Sequence, residues 1–126
     1  ANPGKGWTQV TLEQVAAWDA DHIFVISYNQ DAAEVVAALK DDPQWQSLRA
    51  VQDGRLHAFP ADLYSWDQPD TRWILGLTWL AGRLHPECFP DLDIESEAWQ
   101  FYETLYGLDQ AFFDQHIRPT FKGDLP

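Results

Sequence analysis

Short continuous apolar runs alternate with stretches of helical spacing along this chain. HIFVIS, at 22–27, is a compact run rich in β-branched residues, bounded by Asp21 and by the polar stretch 28–31. Such a run, apolar without alternation, predicts a strand covered on both faces, as in a parallel sheet. Ala, Val and Leu then recur at helical spacing over 32–39, and Pro43 opens a further short helical stretch in DDPQWQSL. Upstream, TLEQVAAW predicts a helix over 11–18, with Thr11 as cap and Gln14 reaching back to it. The segment RAVQDGRLHAFP sets Asp53-Gly54 between two short apolar stretches, which predicts a tight hairpin or strand connection.

The second half reads differently. ADLYSWDQPD has one Pro, three Asp and two aromatics without periodicity, follows directly on Pro60, and predicts an irregular loop. A helix follows over about 71–84, with Ile74, Leu77, Thr78 and Ala81 expected on its buried face and Leu75 beside them. PECFPDLD is a second irregular connection, EAWQFYETLYG an aromatic-rich helix ended by Gly107, and 109–117 a last amphipathic helix before Pro119. Alternating strands and helices give an α/β class with a small, mainly parallel sheet flanked by helices. Ligands of open α/β sheets sit beyond the carboxyl ends of the strands, so the loops after Ser27 and Pro60 are where binding residues are expected.

Composition narrows the function. Eight Lys and Arg against 20 Asp and Glu leave a formal charge of −12, which repels nucleic-acid phosphates and anionic lipid alike. No run approaches the roughly 18 to 20 apolar residues of a membrane span, the stretch 73–81 being short and broken by Gly76 and Thr78. The single cysteine, Cys88, fits either redox compartment. The opening residues lack both an initiator Met and a signal-peptide core, so a segment upstream is expected to have been removed. His22, His57, His85 and His116 show no metal-ligand spacing, and no nucleophile elbow, phosphate loop or dinucleotide fingerprint occurs. The expectation is a protein that is not an enzyme and carries neither cofactor nor structural metal.

Seven Trp in 126 residues are an unusual concentration of flat, rigid, amphipathic surface. Trp7 precedes the first helix, while Tyr64, Ser65, Trp66, Asp67 and Arg72 crowd the loop before another. Aromatics of this kind bracket a planar ligand, and a carboxylate with a guanidinium orients it. The competing reading is that Trp66 and Tyr64 plug the end of the sheet and Asp67 caps the next turn.

Four stretches carry a family resemblance: GKGWTQVTLEQVAAWDADHIFVI, WQSLRAVQDGRLHAFP, LYSWDQPDTRWILGLTWLAGRLHPECF with the following DLDI, and FYETLYG. Together they resemble the C-terminal lobe of the helical-backbone substrate-binding proteins of ABC importers. That group includes cobalamin-, haem- and ferric-siderophore-binding proteins and some oxyanion binders. The resemblance implies two α/β lobes joined by a long helix, with 1–126 a partial C-terminal lobe lacking the N-terminal lobe and the linker helix. It implies a protein outside the cytoplasmic membrane, not inserted in it, that captures a ferric siderophore, haem or corrinoid and delivers it to a permease. Trp7, Trp66, Asp67 and Arg72 match cleft positions, and Glu13 matches the carboxylate that docks on permease arginines; by itself Glu13 reads as a solvated first-turn carboxylate favoured by the helix dipole. The tail over 108–126 is longer than the family's and is expected either to cover a sheet edge or to form a self-association surface. The alternative function is a non-catalytic scaffold domain that forms a homodimer.

Overall fold

The computed structural model describes residues 6–125. Residues 1–5, on which the expectation of a removed upstream segment rests, and the last residue of the tail lie outside the described residues. Helix α1 (Leu12–Trp18) starts on a reciprocal cap: Thr11 N–H donates to Gln14 Oε1 at 2.9 Å, and Gln14 N–H donates to Thr11 Oγ1 at 3.3 Å. It ends at Asp19, whose φ of 45° is left-handed. Arg49 secures that end, donating to Asp19 Oδ1 at 2.9 Å and to Asp21 Oδ1 at 2.7 Å.

Strand β1 (Ile23–Val25) pairs in parallel with β2 (Leu56–Ala58), Ile23 opposite Leu56 and Val25 opposite Ala58. The crossover between them runs through α2 (Ala32–Asp41), a 3-10 turn at Trp45–Ser47 and the single helical turn α3 (Arg49–Gln52). Ala32 and Val36 of α2 bury against Leu56 and Ala58, forming one of two apolar clusters. The Asp53-Gly54 step is thus not a hairpin. Its partner strand is β1, which runs parallel, and parallel strands need a crossover; Gly54, with φ of 71°, turns the chain from α3 into β2.

The larger cluster gathers Trp66, Leu75, Trp79, Ile94, Ala98, Phe101, Tyr102, Phe113 and Ile117. It lies among the loop after β2, α4 (Trp73–Leu84), α5 (Ile94–Tyr106) and the C-terminal segment. Here the expected face of α4 is corrected: Leu75, Gly76 and Trp79 are buried, whereas Ile74 and Leu77 are 40% and 50% exposed. The cause is Gly76. A Cβ there would stand 2.5 Å from the carbonyl oxygen of Trp66, so only glycine lets the helix approach the loop backbone, and that approach selects the buried side.

Asp93 caps α5 by accepting from the N–H groups of Glu95 and Ser96, and Gly107 ends it at φ of 65°. The last helix is irregular, one α turn at Gln110–Phe112 (α6) running into a π turn at Phe113–Ile117 that carries the fully buried Phe113. The tail then follows the outer side of β2. Asp124 N–H donates to Ala58 O, Ala58 N–H donates to Asp124 Oδ2, both at 2.9 Å, and Lys122 bridges Ala61. These bonds satisfy the edge groups of β2 that β1 does not reach.

Candidate functional site

The loops leaving the carboxyl ends of β1 and β2 face each other across a cleft of 380 Å³. Ser27, Tyr28, Asn29 and Gln30 line one side, Tyr64, Ser65 and Gln68 the other, and Lys122 of the tail supplies a cation. Helix α2 begins directly behind the first loop. Asp31 caps it by accepting from Ala33 N–H at 2.8 Å and also accepts from Gly123 N–H at 3.0 Å, tying loop, helix and tail together.

The second loop is organised around a buried carboxylate, Asp62. Its Oδ2 accepts from Trp66 Nε1 at 3.0 Å and from Tyr102 Oη at 2.6 Å, and its Oδ1 accepts from Tyr64 N–H at 3.1 Å. Arg72 Nε stands 3.0 Å from Asp62 Oδ1, close enough to neutralise it although not aligned as a hydrogen bond. Arg72 also binds Asp70 at 2.7 Å. Burial works against the Arg72 charge, but Tyr102, Asp62 and Asp70 outweigh it and raise the pKa, so the guanidinium stays ionised. The Tyr102 phenol is pushed up as well, by burial first and then by its bond to Asp62.

A second, exposed group lies on the rim. Tyr28 Oη donates to Asp67 Oδ2 at 2.6 Å, and Trp7 meets the Tyr28 ring edge-on with centroids 6.4 Å apart. The bond to Asp67, helped by partial burial, pushes the Tyr28 phenol up to about 12. Trp7 is 82% exposed and Tyr64 65%, with the Arg72 guanidinium over the Tyr64 ring at 5.2 Å.

Of the residues singled out in the sequence, Tyr64 and Ser65 line the cleft, and Trp7 and Asp67 meet through Tyr28 beside it. Trp66 is corrected: it is fully enclosed, packed edge-on to Phe121 with its indole N–H held by Asp62, and offers no face to a ligand. The Arg72 side chain is likewise largely buried and committed to Asp62 and Asp70. Glu13 is exposed in the first turn of α1, its pKa lowered chiefly by the Thr11 side chain. Sequence reasoning missed Tyr28, Asn29, Gln30 and Gln68 as lining groups and Asp62 as the organising one. The position of 28–30 directly after an apolar strand run was the available signal. Among the described residues, no three His, Cys, Asp or Glu side chains gather as a metal site.

No protein-family model matches the chain. It is 31% identical over 103 residues to the molybdate-binding protein MolA of Haemophilus influenzae, a match covering 81% of this chain and 28% of that protein. The structure of MolA with molybdate superposes with a TM-score of 0.66 at 28% identity, over 85% of this chain and 32% of MolA. An ABC transporter solute-binding protein from Sulfurospirillum deleyianum gives 0.67 at 25% identity, over 92% and 35%. In fold alone, a periplasmic solute-binding protein from Veillonella parvula gives 0.68 at 24% identity, over 94% and 39%. The chain therefore spans well under half the length of the proteins it resembles, and over that span it is homologous to periplasmic solute-binding proteins of ABC transporters and has the fold of one of their lobes.

Proposed function

We propose that this chain is the C-terminal lobe of a periplasmic solute-binding protein of an ABC importer, that it supplies one wall of the ligand cleft, and that the ligand is a small oxyanion. The supporting observation is Ser65. It lines the cleft, yet its buried hydroxyl has no hydrogen-bond partner within the protein among the described residues. A buried donor left unpaired costs about 1–3 kcal/mol, so such a group is retained where a ligand satisfies it. Around it stand the neutral polar groups Ser27, Asn29, Gln30 and Gln68 with one cation, Lys122, while the carboxylate of Asp62, which also lines the cleft, is faced by Arg72 at 3.0 Å. That set suits a tetrahedral oxyanion, and it agrees with the molybdate bound by the Haemophilus relative. The activity is binding, with no catalytic step and no resident cofactor, and the partners are the ligand and a permease met through Glu13.

A second reading keeps a larger metal chelate such as a ferric siderophore, haem or corrinoid. It is favoured by the exposed rim aromatics Trp7, Tyr28 and Tyr64, which offer flat faces to a planar ligand.

Calorimetry on the full-length protein separates the two. The oxyanion reading expects molybdate to bind in the micromolar range or tighter, and Ser65→Ala to weaken it about tenfold. Absence of molybdate binding, with a ferric chelate that binds and loses affinity in Trp7→Ala, would overturn it in favour of the chelate. Glu13→Ala is expected to lower transport and leave affinity unchanged; unaltered transport removes the docking role.

A further inference from the structure

The cleft occupies one end of the two-stranded sheet. At the other, where β1 and β2 begin, a separate depression of 500 Å³ is lined by Asp21, His22, Arg55, Arg83 and His85. In a chain of net charge −12, two of the eight Lys and Arg side chains and two of the four histidines converge here. We propose that this depression is a second anion site, distinct from the cleft, that takes a small divalent oxyanion of sulfate or phosphate size.

Arg83 carries most of the argument. Its guanidinium is held in place, Nη2 donating to the Asp124 carbonyl at 3.1 Å and the planar group lying over the Trp79 ring at 5.6 Å. Yet no carboxylate stands within ion-pair distance of it among the described residues. A fixed guanidinium without a counter-charge, on surface open to solvent, is preorganised for an oxyanion, which it can bind through two parallel N–H donors.

Within the lining of the depression two guanidiniums face a single carboxylate. Asp21 is the one carboxylate lining it, and its Oδ1 is already paired with Arg49 at 2.7 Å. Arg55 meets Asp53 only at 4.0 Å, with both side chains 44% exposed, a separation at which attraction is weak. His85 stands 3.4 Å from the exposed Glu87. Beneath the surface, His22 Nδ1 and His57 Nε2 share a hydrogen bond at 3.1 Å, and His57 has its pKa lowered first by burial, then by the charges of His22 and Arg83.

The test is a titration of the 15N-labelled protein with sulfate, ionic strength being held constant with chloride. The expected result is a saturable set of shifts confined to His22, Arg55, Arg83 and His85, with a Kd in the millimolar range or tighter. Arg55→Gln and Arg83→Gln are each expected to weaken it about tenfold. Should Arg83→Gln loosen the tail through its bond to Asp124, the exposed Arg55→Gln decides alone. Shifts that rise without saturating, that spread over the surface, or that keep their midpoint in Arg55→Gln overturn the site. Because the cleft lies at the opposite ends of the strands, loss of molybdate binding in a Ser65→Ala protein leaves this result untouched.

Discussion

The two loops that leave the sheet do so at the same end, yet they are built on opposite principles. The loop after β1 is short, polar and outward. Its residues 28–30 are exposed, and Tyr28 holds itself by one bond across to Asp67. The loop after β2 is long and knotted inward, with Asp62 accepting from an indole, a phenol and a backbone amide while an arginine neutralises it. The first can present groups to a ligand because few of them are consumed within the protein. The second can hold a wall still because nearly everything in it is consumed.

The contrast is tested most severely at Asp62. Asp62→Ala leaves the largely buried Arg72 with Asp70 as its one carboxylate partner and strips the buried bonds of Trp66 and Tyr102, so a loss of about 3–5 kcal/mol is expected in urea denaturation. A loss below about 1 kcal/mol would mean that water or neighbouring groups replace the carboxylate and that the loop is not organised around it.

Gly76→Ala sharpens the same comparison from the helix side. The new methyl meets the Trp66 carbonyl oxygen at 2.5 Å and its carbon at 3.1 Å, both backbone atoms that cannot swing aside. The expected cost is about 1–3 kcal/mol, with changed near-ultraviolet signals from the displaced Trp66. A silent substitution would show that α4 is free to slide.

Tyr28→Phe should do the least to stability. It removes one exposed hydrogen bond, worth about 0.5–1.5 kcal/mol at most. Its effect is expected in ligand affinity, and an equal loss of stability and affinity would make the first loop as structural as the second.

Much of this was legible in the chain. The Thr11 and Gln14 cap, a parallel strand within 22–27, the irregular loop before α4 and the stop at Gly107 all rest on local chemistry, and the fold shows each of them, the strand shortened to 23–25 and half-buried rather than covered on both faces. Trp66 was misread for a physical reason. A tryptophan beside an aspartate in a loop looks the same whether the pair faces solvent or core, and here the indole N–H turned inward to Asp62, four residues earlier. The buried face of α4 escaped for a related reason. Ile74 and Leu77 are apolar enough to be core, but which side packs was decided by where a glycine lets two backbones touch.

What the sequence determined by itself was therefore whatever is settled within a few residues: caps, breaks, the strand run, the α/β class and the acidic charge. The tertiary structure decided which side chains are spent on the fold and which remain for a ligand. It brought His22 and His57, 35 residues apart, to 3.1 Å, laid the tail against β2 through Asp124, and set Asp62 beneath Tyr102 from 40 residues away. No local spacing encodes these meetings, because burial and long-range pairing depend on how the whole chain closes, and a polar group's role follows from the partner that closure supplies.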